Sequence, residues 1–263
     1  MFEPKKYRIK MIKSYTPEVK LFRIETNINP LPGQFFQLSI LGYGECPLAS
    51  CSFNKNYVDV LVRKVGNVTS AMFNYLRKGD YVFLRGPYGK GYDLKEIGDK
   101  NMILIGGGSG IAPIASLIEY CLQNKKYYER IKVFFGFKNE ESILLKDRIK
   151  KWSKKIKIKV FIDPQNKKTE YEQGYIQDIL KKEEIEESQL FIMCGPELMM
   201  KSATDYLVSK GIKERNIFWN MERRMECAIG SCGRCLIQDL YVCKDGPVFS
   251  YELLKERLTK END

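Results

Sequence analysis

Four cysteines toward the carboxy-terminal end carry the most specific chemistry in this chain. Cys227, Cys232, Cys235 and Cys243 are spaced C-x4-C-x2-C-x7-C. Four thiolates at that spacing suit a [2Fe–2S] rhomb, a small group whose ligands must converge from one tight loop. Gly230 and Gly233 lie between them and accept the positive φ that such wrapping requires. Amides exposed by the wrapped loop could hydrogen-bond the sulfurs and raise a reduction potential. Zinc held by the same thiolates is the competing reading. Zinc sites more often use two C-x2-C pairs, and this stretch holds only Cys232–Cys235. A disulfide framework suits small secreted chains, and 263 residues is not small.

A second constellation is built from glycine. Gly106-Gly107-Gly108-Ser109-Gly110-Ile111-Ala112-Pro113 follows the apolar run 102–105 and precedes a helical face of Ile114, Leu117, Ile118 and Cys121. Strand, glycine turn and helix make a pyrophosphate cradle, because the phosphate can approach bare backbone at a helix amino terminus. The spacing is not G-x-G-x-x-G, so a glycine turn without ligand stays open as an alternative. Cys194-Gly195-Pro196 ends another apolar strand, 189–193, and could face the same ligand from a second side. Gly66-Asn67-Val68-Thr69-Ser70 leads into a helix over 71–77. This is either an anion site or an ordinary Ser/Thr cap.

Histidine is absent, which removes histidine-based triads, histidine-ligated haem and HExxH zinc chemistry. Reaction chemistry must then come from a bound cofactor or from Cys, Asp, Glu, Lys or Tyr. The net charge is +11, with lysine densest over 146–159. That run reads as a solvated helix face or as a docking face for an acidic partner. Aromatic residues are not interleaved with it as a single-strand binder needs, so no nucleic-acid partner is expected. The opening MFEPKKYRIK lacks the apolar core of a secretory signal, and no run is apolar enough to span a bilayer. The expectation is a cytoplasmic protein with no membrane span and reduced thiols.

These groups need scaffolds. Residues 7–15, 19–25, 34–40, 57–64 and 81–85 read as short strands separated by turn residues, which predicts an antiparallel β-barrel. The barrel is expected to end in a loop at 85–92, with a linker at 93–100. From 101 strands alternate with helices: strands at 132–137, 156–162, 189–193 and 216–220, helices at 142–152, 174–182 and 197–210. That pattern predicts a doubly wound parallel α/β domain. The expected divisions are a barrel at 1–97, the α/β domain at 98–220 and a small cluster-binding segment at 221–263.

The order of these motifs resembles the ferredoxin–NADP reductase superfamily, in its branch with a carboxy-terminal [2Fe–2S] cluster. Pro32-Gly33-Gln34-Phe35, Gly66 to Ser70, Gly86-Pro87-Tyr88-Gly89, the glycine loop, Cys194-Gly195-Pro196 and the cysteine loop fall in the family's order. The branch includes the electron-transfer subunit of dihydroorotate dehydrogenase, the gamma subunits of sulfhydrogenases and the electron-transfer subunit of anaerobic sulfite reductase. Residues 63–71, 221–225 and 241–249 look most like the last.

The resemblance implies FAD in the barrel. Its isoalloxazine would lie near Pro47, Leu48, Ala49 and Ser50, along Leu61 and Val62. Its phosphates would lie near Arg63, Gly66, Val68, Thr69 and Ser70. A nicotinamide dinucleotide would bind the glycine loop with Gly195 and Pro196. Cys194 would line the nicotinamide pocket, Glu222 would lie between flavin and cluster, and Cys227, Cys232, Cys235 and Cys243 would ligate iron. NADH is favoured over NADPH, because Glu140 and Glu141 follow the strand 132–137, although Lys138 argues the other way. The implied partners are siroheme and iron–sulfur subunits of a hetero-oligomeric reductase that takes sulfite to sulfide, docked through 246–263. An FMN barrel or a hydrogenase module replaces them in the dihydroorotate and sulfhydrogenase alternatives. A zinc-stapled NAD-binding regulator is the non-enzyme alternative.

One segment departs from the family. Its usual Arg-x-Tyr/Ile-Ser stretch against the flavin is here Cys46-Pro47-Leu48-Ala49, which leaves Ser50 to offer a hydroxyl. Cys46, Cys51 and Cys121 read as small buried apolar residues.

Overall fold

A computed structural model describes residues 3–98, 100–165 and 168–261. The first sheet contains β1 (Lys5–Thr16), β2 (Val19–Glu25), β3 (Phe35–Ile40), β4 (Gly44–Ala49), β5 (Tyr57–Arg63) and β6 (Tyr81–Tyr88), with α1 (Asn67–Asn74) between the last two. Its order is β4-β3-β6-β1-β2-β5, paired antiparallel. A single bridge between Ser50 and Val60 brings the end of β4 against β5 and curls the sheet toward a barrel. Alternating inward residues fill it: Ile9, Phe22, Phe36, Leu38, Val60 and Leu84, closed by Met72 of α1. Each such side chain contributes about 1.5–3 kcal/mol on burial.

Two strands differ from the sequence expectation. β4 covers the Cys46-Pro47-Leu48-Ala49 stretch, which carries no strand signal because of its proline. Pro47 is tolerated because β4 is the edge strand, bonded only to β3. β6 runs to Tyr88 rather than ending at Arg85, since a bulge absorbs Gly86 and Pro87. Opposite them, Phe35 pairs Tyr88 and Gln37 pairs Arg85, so β6 carries an extra residue there.

After α2 (Leu94–Ile97), inside the expected linker, come β7 (Met102–Gly107), α3 (Ile111–Cys121), β8 (Ile131–Phe137), α4 (Lys146–Trp152), β9 (Lys157–Ile162), β10 (Glu172–Gln173), α5 (Ile176–Leu180), β11 (Leu190–Cys194), α6 (Glu197–Ser209) and β12 (Ile217–Asn220). The strands β10-β9-β8-β7-β11-β12 are parallel neighbours. The central strands β7 and β11 are buried throughout, as two-sided coverage requires. The helix expected over 142–152 begins only at Lys146, because Asn139 first caps a 3₁₀ turn at Glu140–Ser142. The helix expected over 174–182 shrinks to α5, preceded by the edge strand β10.

Beyond Asn220 the chain has no regular element until the hairpin β13 (Leu236–Ile237) and β14 (Leu240–Tyr241), followed by α7 (Val242–Asp245), β15 (Val248–Ser250) and α8 (Tyr251–Glu261). β15 joins the parallel sheet beside β12. By compactness the chain forms two units. One holds Met1–Tyr92, Ala115–Tyr120 and Met221–Val248; the other holds Asp93–Ile114, Cys121–Asn220 and Phe249–Asp263. The cluster segment 221–248 thus packs with the barrel, while α8 goes with the parallel sheet, where Tyr251 lies 5.1 Å from the buried Trp219 ring. The segment 246–263 expected to dock a partner is described to Glu261, and its Tyr251 and Leu254 are spent on internal packing. Among the described residues no helix is long and apolar enough to cross a membrane.

Candidate functional site

The cysteine loop is closed at its base by the Met221 N–H donating to the Pro247 carbonyl at 2.8 Å. Inside it the backbone turns through left-handed conformations at Ala228 (φ 63), Gly230 (φ 75) and Gly233 (φ 77). A Cβ on Gly230 would meet only the flexible Lys244 side chain at 2.9 Å, so it is the positive φ that calls for glycine there. The turns aim amides at sulfur. Ile229, Ser231 and Cys232 donate to Cys227 Sγ at 3.5, 3.3 and 3.4 Å, and Gly230 donates to Cys243 Sγ at 3.1 Å.

These bonds set the thiol chemistry. Burial pushes the Cys227 thiol up, but the three N–H groups and the Cys232 side chain outweigh it and bring the pKa down to about 6. Cys227 is therefore largely thiolate at neutral pH, the form that binds metal. Burial, followed by the side-chain bond between Cys243 and Cys235, which favours the protonated Cys243 thiol, pushes Cys243 up to about 12 against the pull of the Gly230 amide. Cys232 thus acts on Cys227, and both Cys235 and Cys227 act on Cys243. Among the described residues no three Cys, Asp or Glu side chains converge as one metal ion requires. Four thiols in one loop, with backbone amides directed at two of the sulfurs, would suit an iron–sulfur cluster.

The nucleotide loops lie at the carboxyl ends of adjacent strands. Gly106 of β7 and Cys194 of β11 are register partners. Strand order reverses at β7, the topological switch where ligands of such sheets bind. A Cβ added to Gly108 (φ 53) would meet nothing within 4 Å, so the loop is open on that side. Gly110 is the opposite case: a Cβ there would fall 2.4 Å from the Cys194 carbonyl oxygen. Ser109 is half-buried beside it, while Ile111, Ala112 and Pro113 are buried in the first turn of α3, where proline is tolerated. Cys194 itself is fully buried. Its thiol is a packed side chain here and does not line an open pocket, so Gly195 and the exposed Pro196 are what the strand end presents.

In the barrel, Pro47, Leu48 and Ala49 are half-buried on β4, while Leu61 and Val62 of β5 are buried and Arg63 is exposed. The Ser50 hydroxyl does not have the role expected of it. It is fully buried and donates to the Ser52 carbonyl at 2.9 Å, inside the barrel wall. Ser50→Ala should therefore cost about 1–2 kcal/mol of stability, read as a lowered Tm, with flavin affinity unchanged by titration. A matching loss of flavin would restore the hydroxyl to the flavin site.

The N-cap at the Gly66–Ser70 turn is a glycine rather than a Ser or Thr. Gly66 is the N-cap of α1 with no side-chain acceptor. Thr69 Oγ1 instead accepts from Val65 and Gly66 N–H at 3.0 and 2.9 Å, and Ser70 N–H donates to the Gly66 carbonyl. Thr69 thus supplies the reciprocal half of a capping box, while no N-cap side chain accepts from the first-turn amides and Gly66 has open space beside it. Glu222 is exposed as a residue, yet protein atoms crowd its carboxyl and raise its pKa by desolvation. Cys51 and Cys121 are buried as expected, whereas Cys46 is only half-buried. Burial pushes the Cys46 and Cys121 thiols up to about 12.

The lysine run ends in an open depression at the amino ends of β8 and β9, the far end of those strands from the glycine loop. Lys132 and Lys159 there share Glu183 at 3.2 Å each, which cancels part of the charge.

Sequence reasoning missed Arg85. Its side chain is 11% exposed and donates to the carbonyls of Glu226 and Cys227 at 2.7 Å each. Only the three-dimensional pairing reveals a contact across 142 residues of chain.

Comparison with known proteins agrees with this layout. Residues 104–205 match the family model for the oxidoreductase NAD-binding domain. Residues 222–255 match that for the iron–sulfur cluster binding domain of dihydroorotate dehydrogenase B. Sulfhydrogenase 2 subunit gamma of Pyrococcus furiosus is 34% identical, covering 93% of both chains. A probable dihydroorotate dehydrogenase B (NAD(+)) electron transfer subunit of Methanocaldococcus jannaschii is also 34% identical, covering 97% of this chain and 93% of its own. Among solved structures, an NADH-dependent reduced ferredoxin-NADP oxidoreductase aligns over 98% of this chain and 94% of its own, with TM-score 0.72 and 21% identity, a likeness of fold. With a nucleotide-binding domain, an iron–sulfur domain and relatives 34% identical over more than nine-tenths of both chains, the chain belongs to the family of oxidoreductase electron-transfer subunits that includes the sulfhydrogenase gamma subunits and the dihydroorotate dehydrogenase B electron transfer subunits.

Proposed function

We propose that this chain oxidises NADH through FAD and a [2Fe–2S] cluster and delivers single electrons to a separate catalytic subunit, as an electron-transfer component of a sulfhydrogenase-type or dihydroorotate dehydrogenase-type complex. The observation that carries the reading is the cysteine quartet, whose loop turns four backbone amides onto the sulfurs of Cys227 and Cys243, in the unit that also holds the antiparallel barrel. A flavin, when bound, joins a two-electron hydride donor to a one-electron acceptor, which is why barrel and cluster belong on one chain.

The residues present fit these groups. Among the described residues none bonds the buried Gln37 Oε1, an acceptor waiting in the strand paired to Pro47. Such an atom costs free energy unless a bound group donates to it. The uncapped first turn of α1 and exposed Arg63 would take the flavin phosphates, since amide dipoles and a guanidinium both favour anions. The backbone of 106–110 and 195–196 would hold the dinucleotide pyrophosphate. Glu140 and Glu141 sit at the carboxyl end of β8, where they would face the adenosine ribose and repel a 2′-phosphate. Glu140 is held there by a hydrogen bond from Thr169 Oγ1.

A sulfite-reducing complex is the second reading. It rests on the resemblance of residues 221–225 and 241–249 to the electron-transfer subunit of anaerobic sulfite reductase; the relatives named above favour the first. Either way the partner supplies the terminal site, because this chain has no histidine and its other four cysteines, Cys46, Cys51, Cys121 and Cys194, are scattered along the sequence.

The test is an anaerobic visible spectrum of the purified protein, with iron and flavin quantified. Flavin and cluster absorbance are both expected to bleach on adding NADH. The Michaelis constant for NADPH is expected at least about tenfold higher, since juxtaposed like charges cost several kcal/mol. Colourless protein holding zinc would favour the regulator instead, and an NADPH preference would remove Glu140 and Glu141 from the ribose site.

A further inference from the structure

We propose that Arg85 is a positioning residue that registers the cluster loop against the strand of the flavin segment, so that the two redox groups keep a fixed relation. The inference rests on the electron-transfer reading above and extends it to a residue outside every expected ligand set.

The barrel sheet sets up the arrangement. Pro47 of β4, Gln37 of β3 and Arg85 of β6 form one row of register partners. Directly opposed residues project from the same face. The peptide 226–227 lies over that face. Arg85 Nη2 donates to the Glu226 carbonyl and Nη1 to the Cys227 carbonyl. Gln37 Nε2 adds a weaker bond to the Glu226 carbonyl at 3.4 Å. Toward the flavin segment, Arg85 Nε donates to Glu45 Oε2 at 3.0 Å, and Nη2 pairs with Glu45 Oε1. Nη1 also donates to the Tyr88 hydroxyl at 3.2 Å.

A guanidinium has five N–H donors in a rigid planar fork. Each bond just named has one of those donors available, so the fork is saturated. One end clamps the carboxylate that precedes Cys46 and Pro47. The other clamps two consecutive carbonyls that flank the Cα of the first cluster ligand. Glu226 extends the chain of contacts, since its carboxylate meets Arg234 Nε at 3.3 Å, between Cys232 and Cys235. An ordinary surface ion pair would not single out the peptide that aims Cys227, and a mostly buried side chain is not a surface pair. Because Glu45 balances the Arg85 charge, the effect on the cluster is geometric. It acts through the main chain from which Cys227 projects and receives its three amide bonds.

The experiment compares full-length wild type, Arg85→Gln and Arg85→Lys, each loaded anaerobically with iron, sulfide and FAD. In Arg85→Gln, iron is expected to pass to a chelator roughly 10- to 100-fold faster, the usual effect of losing an outer-shell partner of a metal ligand. The EPR signal of the reduced cluster should broaden or shift. Arg85→Lys should restore little of either, because an ammonium cannot span two carbonyls and a carboxylate in the plane of a fork. In the metal-free chains, amide exchange at 229–232 should quicken in Arg85→Gln while exchange in the barrel strands stays as in wild type.

Unchanged iron release and EPR in Arg85→Gln would overturn the proposal. So would exchange that quickens throughout the barrel with a lowered Tm, since Arg85 would then be a general brace. A wild-type chain that takes up no iron would instead sink the electron-transfer reading. The metal-free exchange data would still decide whether Arg85 orders the loop.

Discussion

Cys235→Ser should empty the cluster site and leave the barrel folded. Cys235 is 2% exposed, and its sulfur is the partner of Cys243. Serine offers a shorter, harder oxygen in place of a soft thiolate, so the quartet would lose its hold on iron. Iron content should fall to background, and transfer from NADH to a one-electron acceptor should drop by about 10- to 100-fold or more. Flavin content and the circular dichroism spectrum report whether the rest of the chain persists. Cys121→Ser is the matched comparison, because that thiol is equally buried, is pushed up to about 12 by burial, and lies in a helix outside the quartet. It should lower stability without removing iron. If both variants lost iron alike, or neither did, the quartet would not be the cluster site.

The contrast between Cys235 and Arg85 shows which parts of this molecule are legible in its sequence. The cysteine spacing, the glycine loop and Gly66–Ser70 are short-range features, whose residues lie within 16 positions of one another along the chain. The two layers are legible for the same reason, since strand and helix periods are local. β4 is not, because Pro47 speaks against a strand unless the edge position is known. β15 is not, because three residues carry no period, and its place beside β12 is a tertiary outcome. The Ser50 hydroxyl looks free for a ligand in the sequence. Its burial against Ser52 depends on how β4 closes on β5, which no local pattern records. Cys194 raises the same difficulty: its motif marks the strand end, but whether the thiol faces a ligand or the core is decided by packing. Arg85 and Glu226 lie far apart in the chain, and only the fold brings them together.

Gly110→Ala is expected to damage both stability and dinucleotide binding, and the reason lies in backbone rather than side chains. The added Cβ would fall 2.4 Å from the Cys194 carbonyl oxygen, 2.5 Å from its carbon and 2.6 Å from Gly195 N. None of these atoms can rotate away, so β7 and β11 must part at the ends where Gly106 and Cys194 pair. Overpacking of this kind costs about 1–3 kcal/mol, which lowers Tm by about 2–4 °C per kcal/mol for a chain of this size class. The KM for NADH should rise about tenfold or more, equivalent to roughly 1.4 kcal/mol of lost binding. Gly108→Ala separates strain from collision. That Cβ meets nothing within 4 Å, but φ of 53° is left-handed, a cost of roughly 1–2 kcal/mol. Its Tm should fall by the strain alone, without prising the strand ends apart. If Gly110→Ala kept wild-type Tm and KM, the close approach of 106–110 to 194–196 would not be what builds the nucleotide cradle. The two loops would then bind, if at all, as separate elements. If the Tm fell while KM held, the approach would be a packing feature, and the pyrophosphate would rest on the open Gly108 side of the loop alone.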